Sequence, residues 1–393
     1  MATVTAYTAA QTDALLDAAA QEAAKNSHRW VARPKIAAMG DSITAANHLL
    51  NQPYSVGGGA WMDLGTLLSG YRYEFVGAAS TGGYTIAQVL ATHLPTVLAA
   101  QPDYCLVLAG QNDIGAIDTP RLTMLRTIWE ALIAAGITPI LCTNVPSSTI
   151  PNWWLLYDFT VGYAHQHSLP LFDLHAVLTD PATGLYRAGY STDAVHPNTK
   201  AGIAAAAQAW SAFANNLVGT APQPPTQLLP ITGSDGGTTP NPLMSGSSTT
   251  ALPDGWYWAE AAASGTVALE AATYGNRMRL TKSSSQRLQA NSPLTPVQPS
   301  TRYAVTMRIG AHVAAQGANW SLTVVEAPSY TAPAQFSAVE VDVPDGTLAK
   351  MEFTTSAAAQ QILVAAAMYP PSGGAGANLA IEQYRVRQLS FGV

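Results

Sequence analysis

Ser42 follows a short apolar run and a Gly-Asp pair in "KIAAMGDSITAANH", residues 35–48. Far along the chain, "STDAVHPNTKAG" places Asp193 three positions before His196. A serine hydroxyl becomes a nucleophile when a histidine takes its proton, and a carboxylate keeps that histidine in the right tautomer and orientation. The three-residue spacing lets Asp193 reach one ring nitrogen while the other faces Ser42. Such chemistry also needs donors where an oxyanion would form. "LVLAGQNDIG" offers the side-chain amide of Asn112, and "FVGAASTGGYTI" offers a backbone N–H at Gly83. The N–H of Ser42 itself is the third donor. Together these groups could cleave esters through an acyl-enzyme. Taken one at a time, Gly-Asp-Ser and Asn-Asp are ordinary turns and His-Pro an ordinary helix start. Their conjunction is what points to catalysis. Asp41 reads as a partner of the turn rather than as the acid of the array.

These groups act together only if the elements bring them to one place. Residues 31–217 alternate strand-like runs ("KIAAMG", "YEFVGAA", "YCLVLAG", "TPILCTNV", "LPLFDL") with helical patterns such as "TPRLTMLRTIWEALIAAG". That order predicts a parallel sheet covered by helices on both faces. Sites in such sheets gather at the carboxyl ends of the strands, where Ser42, Gly83 and Asn112 fall. Asp193 and His196 precede the last helix, near "TKAGIAAAAQAWSAFANNL". Gly40 is expected to let the chain bend sharply before Ser42. Residues 218–242, rich in Pro, Gly, Thr and Ser, read as a linker. Beyond them, runs such as "RYAVTMRI", "WSLTVVEA" and "QILVAAAMY" recur at strand-and-turn spacing, which predicts a β-sandwich over 243–393.

The four blocks resemble those of the SGNH, or GDSL, hydrolase superfamily. "GDSI" at Gly40–Ile43 matches the serine block, "GQND" the asparagine block, and "DAVHP" the Asp-x-x-His-Pro block. "STGGYT" matches the glycine block more loosely. The family often shows Asn-x-Gly-x-x-Gly there, whereas Ala78 and Ser80 stand at the earlier places. Gly83 is therefore the best match for the oxyanion glycine, with Gly82 the alternative. The resemblance covers residues 33–217. It implies a flavodoxin-like three-layer α/β/α fold and hydrolysis of acetyl or acyl esters. The rival signature, Gly-x-Ser-x-Gly, fails at Ser42 because Thr44 stands where its second glycine would be.

Composition narrows the field. The 393-residue chain is 48% hydrophobic and 11% charged, with a net charge of -6, so no basic stripe invites nucleic acid. Cys105 and Cys142 each sit in an apolar run and read as reduced core thiols. His165, His167 and His175 fall in no recognised ligand spacing, and we expect neither metal nor cofactor. No signal peptide and no membrane span is expected. Trp153 and Trp154 in "PNWWLLY" are candidates to wall a substrate cleft or to fill the core. The C-terminal region resembles carbohydrate-binding jelly-roll modules, in "PNPLMSGSSTTALPDGWYWAEA", "LTPVQPSTRYAVTMRIGA" and "IEQYRVRQLSF"; Trp256, Tyr257 and Trp258 are its stacking candidates. Residues 1–30 carry a thin apolar stripe at Ala9, Thr12, Leu16, Ala19 and Ala23, suited to a helix that needs a partner. "YTAAQTDALLDAAA" there resembles segments of bacteriophage tail-fibre proteins. The combined expectation is a carbohydrate O-acyl esterase, with an acylated polysaccharide or small ester as partner. That implies a homotrimer in a virion tail, or otherwise a cytoplasmic enzyme. A lipid or aryl esterase and a non-catalytic glycan-binding protein are the competing readings.

Overall fold

The computed structural model describes residues 33–52, 54–56, 59–113, 117–147, 152–219, 239, 244, 246, 248, 250–259, 265–272, 276–283, 286–312, 319–339, 342–369 and 377–389. The helix expected over residues 1–30 and most of the expected linker lie outside them.

Five parallel strands form the first sheet: β1 (Lys35–Gly40), β3 (Glu74–Ser80), β4 (Tyr104–Leu108), β5 (Thr138–Cys142) and β6 (Leu171–Phe172). Their spatial order is β3-β1-β4-β5-β6. Chain direction across the sheet therefore reverses beside β1, the switch point where a crevice opens beyond the strand ends. Alternate residues of β1 explain the three layers. Ile36 and Ala38 face one apolar cluster with Trp61, Leu64 and Trp210, from helices α1 (Trp61–Leu68) and α7 (Lys200–Val218). Ala37 and Met39 face the other cluster, with Val89, Val97, Ile128, Trp129 and Leu156. That second face is covered by a helical run in three parts and by two longer helices. The run comprises α2 (Ile86–Gln88), a π-helical turn Val89–His93 and α3 (Leu94–Ala100). The longer helices are α4 (Thr119–Ala134) and α5 (Trp153–His167). A short α6 (Leu174–Leu178) follows β6. Cys105 and Cys142 are buried free thiols on β4 and β5, and burial pushes both pKa values up.

The C-terminal region is antiparallel and consistent with a β-sandwich. One sheet orders β15-β12-β17-β9-β8, with β8 (Gly265–Ala271), β9 (Asn276–Lys282), β12 (Arg302–His312), β15 (Val343–Thr354) and β17 (Asn378–Gln388). The other holds β7 (Tyr257–Trp258), β10 (Leu288–Asn291), β11 (Thr295–Pro296), β13 (Asn319–Ala327), β14 (Ala334–Val339) and β16 (Gln361–Tyr369). Alternation supplies the core between them. Val305, Met307 and Ile309 of β12 join Trp320, Leu322 and Val324 of β13 and Ile362, Val364 and Ala366 of β16. The second sheet has a seventh strand that the sequence pattern did not foretell. It is β2 (Tyr54–Val56), a segment lying between Ser42 and α1, which pairs in parallel with β14. Pro34–Val393 pack as one unit.

Candidate active site

Ser42 lies in the turn that follows β1. Asp41 shapes that turn: its carboxylate accepts the Ile43 N–H at 3.0 Å, and its carbonyl accepts the N–H groups of Thr44 and Ala45. Gly40 is required here for a reason other than the expected bend. Its φ is not in the left-handed region; instead, a Cβ at Gly40 would collide with the Leu108 carbonyl oxygen of β4 and approach Thr44 Oγ1 at 2.9 Å. Closeness of backbones, rather than backbone freedom, excludes a side chain.

Asp41 itself is fully buried. Burial pushes its pKa up to about 7, against the lowering pull of the Ile43 and Gln111 N–H groups and the charge of His196.

His196 and Asp193 sit on a loop tied at many points. Tyr186 OH donates to the Val195 carbonyl at 2.9 Å. Asn198 Oδ1 accepts the Thr192 N–H at 2.8 Å. Thr199 caps α7 by accepting the Gly202 N–H at 3.0 Å, and its hydroxyl donates to the Gly189 carbonyl at 2.6 Å. Ala194 takes a left-handed φ of 59°, which lets the chain double back between acid and base. The result is a continuous array. His196 Nε2 lies 2.8 Å from Ser42 Oγ, and His196 Nδ1 lies 2.8 Å from Asp193 Oδ2. Burial acts to raise the Asp193 pKa, but the His196 N–H and ring, the Val195 N–H and the Ser191 hydroxyl outweigh it and hold the carboxyl well below the usual carboxylate range. The carboxylate stays ionised, as a group that orients an imidazolium must.

The third and fourth blocks meet beside this array. The turn Thr81–Tyr84 carries Gly82 and Gly83, and a Cβ at Gly82 would lie 3.8 Å from Ser42 Cβ. Gly83 has φ +82°, a conformation that favours glycine, and a Cβ there would meet open space. Among the described residues, no backbone hydrogen bond takes up the N–H of Ser42 or Gly83. Asn112 Nδ2 donates to the Tyr84 carbonyl at 3.1 Å, so its amide is steered by the glycine turn and keeps a second hydrogen to give.

Asp113 is a residue the sequence reading missed. Buried next to Asn112, it accepts the Ile86 N–H at 2.9 Å and the Arg121 Nε–H at 3.1 Å. One carboxylate thereby joins the asparagine block, the helix after the glycine turn, and α4.

Trp153 and Trp154 separate. The Trp153 ring stacks on His175 at 4.5 Å, whereas Trp154 is 50% exposed. His175 Nδ1 also donates to the Asn144 carbonyl, 3.2 Å away, and His167 stacks on Tyr163. Among the described residues no group of three or more His, Cys, Asp or Glu could hold a metal ion, and no helix is long and apolar enough to cross a membrane. In the sandwich, Trp256 is buried edge-on against Tyr384, while Tyr257 stays exposed.

A doubly wound parallel sheet, with Ser42, His196 and Asp193 aligned at its carboxyl edge and a glycine turn and an asparagine alongside, is the architecture of an SGNH hydrolase. Residues 38–201 match the model of the GDSL-like Lipase/Acylhydrolase family, a span that contains all four blocks. This part of the chain is a GDSL-type hydrolase domain. No curated protein matches the chain. Solved structures similar to it include a GDSL-like lipase from Bacteroides thetaiotaomicron, at 18% identity and TM-score 0.37, covering 51% of this chain and 96% of that one. Another is a catalytic mutant of an acetylxylan esterase from Geobacillus stearothermophilus, at 17% identity and TM-score 0.39, covering 47% and 94%. A third is an α/β hydrolase enzyme from the metagenome of Lake Arreo, at 18% identity and TM-score 0.39, covering 48% and 96%.

Proposed function

We propose that the chain is a serine esterase that removes O-acyl groups, O-acetyl in the first instance, from a carbohydrate. The observation that carries the ester chemistry is the unbroken line from Asp193 through His196 to Ser42, with 2.8 Å at each step. In this mechanism His196 Nε2 takes the Ser42 proton as Oγ attacks the ester carbonyl. The Ser42 and Gly83 N–H groups and the Asn112 amide stabilise the oxyanion. His196 returns the proton to the departing sugar hydroxyl, and water, activated by the same imidazole, releases acetate from the acyl-enzyme. Asp193 orients the ring throughout and stabilises its cationic form.

The carbohydrate half of the proposal rests on the resemblance of the C-terminal sandwich to sugar-binding jelly rolls. Tyr257, Tyr330 and Trp154 are among the exposed aromatic faces available for stacking. The N-terminal resemblance extends the reading to a trimeric phage-tail protein that strips acyl groups from a bacterial surface polysaccharide. The test is acetate release from a panel of acetylated bacterial surface glycans, with nitrophenyl acetate alongside and Ser42→Ala as control. Release by the wild type and none by Ser42→Ala is the expected result. Hydrolysis of nitrophenyl acetate with no release from any glycan would remove the carbohydrate half alone. Full activity in Ser42→Ala would remove the site assignment.

A further inference from the structure

The C-terminal sandwich touches the hydrolase domain in a way that bears on the reaction. Among the described residues, the ties between them include a strand ladder, an ion pair and a hydrogen bond, and the first two involve segments next to the Ser–His–Asp array. After Ser42 the chain runs out through β2 before returning as α1. The near end of this excursion is fixed inside the hydrolase: Trp61 Nε1 donates to the Ile43 carbonyl at 2.9 Å, and Asn47 Oδ1 accepts the Met62 N–H at 3.0 Å. Its far end is fixed by the sandwich, where Tyr54, Ser55 and Val56 pair with Ala334, Gln335 and Phe336. The second tie is at α7, whose first residue, Lys200, stands four positions after His196. Lys200 Nζ lies 2.9 Å from Asp342 Oδ2, one residue before β15. His312, the last residue of β12, holds the other oxygen of Asp342 at 3.2 Å. The third tie is Tyr71, whose hydroxyl accepts the Lys350 N–H at 2.9 Å. One apolar cluster includes Trp61, Leu64 and Trp210 on the hydrolase side and Phe336, Ala349 and Met351 on the sandwich side.

The shared β-ladder and apolar cluster set this apart from a tethered binding module, because independent domains meet through small, mostly polar surfaces and move relative to one another. We propose that the sandwich is a buttress of the active site, and that Asp342, acting through Lys200, is a positioning residue for the loop that carries Asp193 and His196. The proposal rests on the esterase reading above. The sandwich sets where the base stands relative to Ser42, and a displacement well under the size of an atom at that point is enough to slow proton transfer.

The test uses the full-length chain and nitrophenyl acetate, an ester too small to need a sugar-binding surface. Lys200→Met and Asp342→Asn should each lower kcat about two- to fivefold with KM unchanged, the range expected for a pair as exposed as this one. The double variant should be no worse than either single. The exchanged pair, Lys200→Asp with Asp342→Lys, should recover most of the loss. Ser55→Pro, which disturbs the β2–β14 ladder, should lower kcat at least about tenfold, again at constant KM. Calorimetry of the wild type should show the hydrolase and sandwich melting in one transition. Wild-type kcat in both single variants would overturn the proposal, as would losses that multiply in the double variant, or separate melting of sandwich and hydrolase. If that happens while Ser42→Ala still abolishes hydrolysis, the esterase reading stands and the buttress falls.

Discussion

Asp41→Asn should change how stability depends on pH, by an amount that follows from where the carboxyl sits. Asp41 has no solvent exposure, and burial pushes its pKa from the ordinary 3.8 up to about 7. Between those values the folded chain holds a proton that the unfolded chain has lost. Stability from this group is therefore fully present below about pH 4 and is lost as pH rises toward 7. Integrated at about 1.4 kcal/mol per pH unit, the loss approaches about 4 kcal/mol in total, of which about 2.5 kcal/mol falls between about pH 5 and pH 8. Asparagine matches the protonated acid in shape and can still accept the Ile43 N–H, but it cannot ionise. Urea unfolding of both proteins at several pH values isolates the term, because titrating groups that do not interact with Asp41 cancel in the difference. The wild type should lose about 2.5 kcal/mol relative to Asp41→Asn between about pH 5 and pH 8. Parallel curves, within about 0.5 kcal/mol across that window, would show that Asp41 is ionised in the fold at neutral pH. The reasoning would then be wrong in its first step, the dominance of burial over the N–H groups that face the carboxylate.

Two further outcomes follow from the geometry. Asn112→Ala removes a side-chain donor beside the glycine turn, and steady-state kinetics on an acetyl ester should show kcat lower by about 10²–10³ with KM little changed. Gly40→Ala forces a methyl group against the Leu108 carbonyl oxygen, so β1 and β4 must part where they carry Ser42 and Asn112. Its thermal or urea unfolding should show a destabilisation of about 3 kcal/mol, and a variant as stable as the wild type would mean that β1 and β4 leave room for the methyl group.

What the sequence disclosed, and what it withheld, divides along a physical line. The sequence blocks that carry Ser42, Gly83, Asn112 and the Asp193–His196 pair could be located because each is a few residues long and ends a strand or opens a helix, and the fold brings Ser42, His196 and Asp193 within hydrogen-bonding distance. The doubly wound sheet was legible for the same reason, since β1 after Lys35 and β4 announce burial on both faces by being apolar. Asp113 was not legible, although it stands next to Asn112, because its meaning lies in partners at Ile86 and Arg121 that the fold alone brings near. Asn198 was hidden likewise by its bond back to Thr192. Trp153 and Trp154 are neighbours with opposite fates, and only the rotation of α5 against His175 distinguishes them. β2 is the extreme case. Three residues, "YSV", have no periodicity to read, and their ladder closes onto β14 across some 280 positions. Local sequence therefore offered the groups proposed to touch a substrate, while the contacts that hold those groups in place are long-range. Catalysis by prearranged donors depends on both. An oxyanion donor chosen correctly but held by a loose turn would reorganise during the reaction and lose most of its effect. In the proposed site, the contacts available for that prearrangement are those of Asp113 with the Ile86 N–H after the glycine turn, of Asn198 and Thr199 within the loop of Asp193 and His196, and of the sandwich strand that takes up β2.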